Sequence, residues 1–237
     1  MNTETVTSPE GTTKAEWLHL LVVVGMFFGS SLCWSSAPER IPMHWNASGE
    51  IDGWGGKLEG LFLLPAITLS LYFLLRLIPR LDPGQANYEQ FKKPYSMIRF
   101  TATGVMVAIH VAVLAYVLGY QTDMGLIAGG LIGLMMIVIG NVMGKVRPNW
   151  FVGIRTPWTL SSKLAWSKTH RVGGWVFVVL GLVIMIASLF KSTWAIPTTV
   201  ISLLVSSLGL VFYSWHVWRN DPDRVPPVGT SPATGEK

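Results

Sequence analysis

MGLIAGGLIGLMMIVIGNVM, Met124 to Met143, is twenty residues long and holds no charge. Crossing a hydrocarbon core of about 30 Å takes roughly 20 mostly apolar residues in a helix. Bare backbone is too costly in lipid for anything but a helix or a closed barrel, and the stretch lacks the apolar/polar alternation of a barrel strand. It reads as a transmembrane helix. Gly125, Gly129 and Gly133 recur at four-residue steps, and Gly140 and Gly144 follow on approximately the same face. Such a stripe of small residues lets another helix approach closely, so this span is expected at the packed centre of a bundle; a groove for lipid or peptide is the alternative.

Outward from it, five more windows are long and apolar enough: Trp17 to Ser36, Leu58 to Ile78, Ile98 to Leu118, Val172 to Phe190 and Trp194 to Val217. Half of the 237 residues are apolar and 13% are charged, with a mean hydropathy of +0.44, which argues against a soluble domain. The expected fold is all-α, a bundle of six transmembrane helices. The first window also resembles a signal peptide, with Ser35 and Ala37 at cleavage spacing, but its acidic leader (Glu4, Glu10, Glu16) and its length argue for a retained span. The single cysteine, Cys33, has no partner for a disulfide and no Cys/His spacing around it for zinc or iron–sulfur, and reads as apolar filler. Residues 1–16 and 219–237 read as disordered tails. Between them lie an N-terminal membrane unit, 17–118, with a loop at 37–57, and a second unit, 119–218, with a loop at 144–171.

Lys and Arg are distributed unevenly. Fifteen fall in the tails and in the second and fourth connectors, three in the remaining connectors. The positive-inside rule therefore predicts both termini in the cytoplasm and Pro38 to Lys57 outside. The connector RPNWFVGIRTPWTLSSKLAWSKTHRVGGW, Arg147 to Trp175, carries five Lys or Arg, four Trp and no acid. Topology and headgroup anchoring account for that composition, but not for the order of residues around Gly153 and Pro157. Thr156 precedes proline and should be extended; Ser161 or Ser162 should then cap a helix on which Trp166 and His170 share a face, as do Lys163 and Trp166.

Ionisable groups within the spans mark transport paths. Arg76 and Arg99 lie near enough to the predicted cytoplasmic ends to snorkel, which leaves His110, either satisfied by a neighbouring hydroxyl or carbonyl or serving as a proton or ligand contact. Proton-coupled transport is disfavoured, and no nucleotide-binding motif offers another energy source. Catalytic strings such as H-E-x-x-H and G-x-S-x-G are absent, and GWGGK fails as a phosphate loop because Leu58 follows Lys57. His44, Glu50 and Asp52 can form a metal or acid/base site if their loop folds back; surface turns are the plainer reading, so no metal and no cofactor are expected. Asn46 to Ser48 matches a glycosylation acceptor only weakly. Direct nucleic-acid binding is not expected, and the sequence sets no oligomeric state.

GNVMGKVRPNWFVGIRTPWTLSSKLAWSKTHRVGGW, Gly140 to Trp175, closely resembles the signature of the SdpI family of bacterial membrane proteins, an N-x-x-x-G-I-R-T-P-W-T-L string followed by W-x-x-T-H-R. IPMHWNASGEIDGWGGK, Ile41 to Lys57, is similar to the loop of an accompanying membrane domain of unknown function, through Pro42, His44, Asn46, Gly49, Asp52 and Lys57. The resemblance implies an immunity protein that protects against a secreted peptide toxin, with a receptor role in which a cytoplasmic repressor is held at the membrane. It carries over Asn149, Gly153, Ile154, Arg155, Thr156, Pro157, Trp158, Thr159, Leu160, Trp166, Thr169, His170 and Arg171 by motif; all of these but Leu160, with Pro42, His44, Asn46, Gly49, Asp52 and Lys57, are the candidate binding residues. Arg155 can offer a donor fork to a partner or clamp the connector internally. Two other functions compete: a membrane enzyme using His44 with Asp52, or His170 with Arg155, on a lipid-linked or peptide substrate, and a small peptide transporter. Membrane lipids, a peptide toxin and a repressor are the expected partners.

Overall fold

The computed structural model describes residues 14–46, 49–190 and 195–224. The chain is a multi-pass membrane protein, with six helices long and apolar enough to cross a bilayer. Helix α1 spans Lys14–Cys33; strands β1 (Arg40–Trp45) and β2 (Ile51–Gly56) follow; then come α2 (Lys57–Leu81), a 3-10 segment (Gln85–Phe91), α3 (Lys92–Val117), α4 (Met124–Met143), the single turn α5 (Pro157–Leu160), α6 (Lys163–Leu189) and α7 (Ala195–Arg219). The tails assigned to disorder lie largely outside the described residues, but Lys14–Glu16 are already helical and 220–224 form an ordered turn. Ala47 and Ser48 of the glycosylation string also lie outside them.

Side-chain chemistry sets the helix ends. Asp123 accepts from the Leu126 amide at 3.0 Å to start α4, and Ser162 accepts from the Ala165 amide at 2.8 Å to start α6. Pro197 falls in the first turn of α7, where a missing amide hydrogen leaves no bond unmade.

Contacts divide the bundle into two groups. Helices α1, α2 and α3 pack on one another; α6 packs on α4 and α7, and α3 with α4 joins the groups. The glycine stripe acts as expected, and α6 supplies the helix that comes close. A methyl carbon added at Gly133 would lie 2.6 Å from the Gly181 carbonyl oxygen, and one at Gly140 would lie 2.6 Å from that of Gly174. Gly129 faces the Ser188 side chain, with an added carbon 2.5 Å from its Cβ, so the helices run antiparallel, backbone against backbone at Gly133 and Gly140. Gly125 is outside this seam, where an added carbon would meet ordinary contact distances. The packed centre is therefore the α4–α6 interface; the flank of α4 toward α3 is an open apolar groove lined by residues that include Ala108, Ala115, Leu126 and Gly130.

The first three helices are tied by polar groups instead. Arg99 is 8% exposed and gives a two-pronged bond to Glu16 at 3.0 and 2.9 Å, and Arg76 reaches the same carboxylate at 3.3 Å. Both guanidiniums thus turn toward a carboxylate in the first turn of α1, which gives a largely buried charge its opposite charge and hydrogen bonds. His110 is not the sole histidine packed among these helices. His19 of α1 bonds Thr103 of α3 and packs edge-on against Tyr72 and Phe100. His110 Nε2 lies 3.1 Å from Ser30 Oγ and 3.3 Å from the Met26 carbonyl, the hydroxyl and carbonyl contacts expected for a satisfied ring, while Nδ1 is buried without a partner among the described residues. Ser30 gives its one proton to the Leu61 carbonyl at 2.6 Å, so Nε2 of His110 carries the hydrogen. Cys33 packs with Ala37, Ile41, Leu61 and Val117, as filler.

Candidate functional site

The two motif-bearing segments sit at opposite ends of α2, whose 25 residues run from the β-hairpin to the connector. At the hairpin end the loop does fold back. Strands β1 and β2 pair antiparallel, with irregular register around His44, and this brings His44 Nδ1 to within 2.5 Å of Asp52 Oδ1. Asn46 closes the turn: its side chain bonds the Glu50 amide and carboxylate, each at 3.0 Å, and Gly49 takes φ +80. Ile41 is fully buried against Gly60 of α2, where an added carbon would lie 2.5 Å from its Cβ, and Pro42 is buried beside it. Lys57 pairs with Glu39 at 3.2 Å and lies over the Trp34 ring. Pro42, Asn46, Gly49 and Lys57 thus shape the hairpin, whereas His44 and Asp52 are exposed together on its surface, with Met43 and Trp54 as apolar neighbours there. Among the described residues no group of three or more His, Cys, Asp or Glu is placed to hold a metal ion.

At the connector end, the signature residues mostly bind one another. Asn149 is 2% exposed; its amide donates to the carbonyls of Arg147 (2.8 Å) and Val152 (3.0 Å), and its oxygen accepts from the amides of Phe151 (3.0 Å) and Val152 (2.6 Å). Gly153 has φ +110, and a carbon on it would lie 2.2 Å from His170 Nε2. Both demands select glycine. That close approach lets the Ile154 amide donate to His170 Nε2 at 3.0 Å, so Nδ1 must be the protonated nitrogen that donates to the Trp166 carbonyl at 2.8 Å. The imidazole is fully buried, has a fixed tautomer, and stacks on the Trp166 ring at 4.0 Å. The indole in turn donates to the Val146 carbonyl at 2.8 Å. The expected shared face of Trp166 and His170 is therefore an internal brace.

Thr156 is extended before Pro157 and caps α5 together with Thr159, whose hydroxyl also donates to the Ile154 carbonyl at 2.8 Å. Of the two serines considered for the α6 cap, Ser162 holds it. Arg155 donates to the Trp150 carbonyl at 2.7 Å, the internal clamp, while its side chain stays at the surface. Trp158 covers an apolar recess formed with Leu208, Val211, Phe212 and Trp215 of α7. Thr169 is buried, its hydroxyl without a partner among the described residues; Arg171, Leu160 and Pro157 are exposed. Trp150 and Phe151, 57% and 41% exposed, form the tip of the loop.

Sequence reading missed the acids that anchor this loop. Asp82, 2% exposed, accepts from the Trp150 amide at 3.0 Å, from Gly84 at 2.7 Å and from the Tyr88 hydroxyl at 2.8 Å. Asp221, 6% exposed, accepts from Ser162 at 2.5 Å, and Thr156 meets Ser214 of α7 at 2.9 Å. Each acid follows the last turn of a helix and precedes a proline, Pro83 or Pro222. The Asp-Pro pairs announce a turn, but only the fold shows that both carboxylates face the connector.

Residues 145–214 match the SdpI/YfhL protein family, and residues 21–69 match a domain of unknown function, DUF1648, so the resemblance read from the two motifs stands. The chain is 23% identical over 209 residues, 87% of its own length and 97% of the relative's, to the immunity protein SdpI of Bacillus subtilis (strain 168). No solved structure matches significantly.

Proposed function

We propose that this chain, in which a DUF1648-type region precedes an SdpI/YfhL-type region, is an integral membrane immunity protein that protects a bacterium from a secreted, membrane-active peptide. The observation that carries the reading is the likeness to an immunity protein along 97% of that relative's length, with both motif regions present in one chain. Both termini lie in the cytoplasm, as the charge asymmetry directs, so the hairpin faces the peptide's side and the connector faces inward. The exposed Met43, Trp54, His44 and Asp52 give an incoming peptide an apolar and polar contact surface on a rigid support.

The same assembly supports a receptor role in which the Trp150–Phe151 tip, with Arg155 beside it, docks a cytoplasmic repressor. Exposed aromatics flanked by Arg are the residue types that anchor protein interfaces. Peptide must favour one arrangement of the bundle for this to signal, since equal affinity for both would shift nothing.

Expression of the full chain in a sensitive bacterium, followed by challenge with the peptide, tests protection. Survival should rise with expression; unchanged survival in cells that demonstrably insert the protein would overturn the immunity reading. Trp150→Ala with Phe151→Ala separates the roles, as protection should persist while recruitment of the repressor to membranes is lost. The enzyme alternative is less well supported at the connector, because both ring nitrogens of His170 are already bonded to backbone. His44→Ala is its remaining test: protection that survives this change removes the basis for acid/base catalysis by His44 at the hairpin.

A further inference from the structure

We propose that the first turns of α6 form a binding site for the headgroup of an anionic phospholipid in the connector-side leaflet, built from Lys168, Arg171 and Trp175 with Lys145 from the end of α4. Helix α6 has 27 residues and at 1.5 Å per residue is about 40 Å long, so its first turns extend past a hydrocarbon core of about 30 Å. Its buried stripe, Ala165, Trp166, Thr169, His170, Gly173 and Gly174, is turned to the connector and to α4. The exposed stripe therefore points sideways, toward lipid. From water to core it reads Lys168, Arg171, Val172, Trp175, with Trp175 71% exposed.

That order matches the layers of a membrane interface. An exposed indole settles at the headgroup–hydrocarbon boundary, and Arg171 and Lys168 stand about 6 and about 10 Å farther out along the helix axis, at phosphate depth. Gly144 brings the end of α4 against the Arg171 backbone at ordinary contact distance, so Lys145 enters from the neighbouring helix.

Among the described residues these cations have no ion-pair partner. The ion pairs among the described residues involve Glu16, Glu39 and Asp52, all in the first part of the chain, and no acid occurs from Met124 to Asn220. A guanidinium fork and two ammonium groups without counter-charge suit a phosphodiester. An acidic cytosolic protein fits less well, because it would have to reach a helix wall that faces the bilayer.

The full chain is reconstituted in nanodiscs of equal parts phosphatidylglycerol and phosphatidylcholine, and lipids retained on gentle release are identified by native mass spectrometry. Phosphatidylglycerol should be retained in preference to phosphatidylcholine, and Lys168→Gln with Arg171→Gln should reduce that preference about tenfold. Lys163→Gln, a turn nearer water, should change it less than about twofold. The charge-keeping pair Lys168→Arg with Arg171→Lys should retain it, which separates loss of the site from loss of the fold. Equal retention of the two lipids, or a preference untouched by the neutralising pair, would overturn the proposal. So would binding of an acidic peptide through Lys168 and Arg171 without lipid preference, which would assign the face to a protein. None of these outcomes depends on the immunity reading.

Discussion

Helices α4 and α6 meet at glycines that let backbone and apolar side chains close in, whereas α1, α2 and α3 meet through charged and hydrogen-bonding side chains. The first contact is made of dispersion at glycine positions, where the Gly174 and Gly181 carbonyls and the side chains of Met185 and Ser188 close in; the second holds Glu16 with two arginines, His19 with Thr103 and His110 with Ser30. In lipid there is little hydrophobic drive to bring helices together, so shape and internal polar bonds must do it. A glycine seam has one tight geometry, while a set of polar ties can break singly and re-form. The contrast suits a rigid second half and a first half that can change its arrangement.

The largest effect should come from filling the seam. Gly140→Leu puts a branched side chain where a carbonyl lies 2.6 Å from the first added carbon, and should destabilise the protein by more than about 3 kcal/mol, read as loss of the folded band in graded denaturant. Glu16→Ala comes next. It leaves Arg99 buried without its two-pronged partner and should cost about 2 kcal/mol, reduced from the range for deep pairs because Arg76 is partly exposed; thermal unfolding in detergent measures it. Thr103→Val removes one of the polar ties and should cost about 0.6 kcal/mol, the usual worth of an interhelical hydrogen bond in a membrane protein. If Thr103→Val proved as damaging as Gly140→Leu, the two halves would not differ in the way described.

Much of this architecture is legible in the sequence because membranes impose simple rules. The six spans follow from length and hydropathy, the glycine stripe from spacing, and the extended Thr156 from Pro157. What could not be read is what lies across the fold. Gly174 and Gly181 complete the seam, but they matter only once α6 is known to be the partner of α4. Glu16 looks like part of an acidic tail until α1 is seen to begin before it. The hairpin is equally hidden: β2 contains three glycines and pairs irregularly, so alternation fails as a signal, yet it is what brings His44 to Asp52. For the signature the reverse holds. Its residues were legible as a set, but most of them, Asn149, Gly153, Thr159 and His170 among them, work inward to shape the loop and leave Trp150, Phe151 and Arg155 outside.

The two Asp-Pro helix ends place the signature loop between fixed points that lie outside both matched segments. With one flank moored to the foot of α2 through Asp82 and the other to the foot of α7 through Asp221, the loop works like a pointer pinned to two levers. A few degrees of tilt in α2, originating forty or so ångströms away at the hairpin by helix length, would swing the Trp150 tip without unfolding anything between.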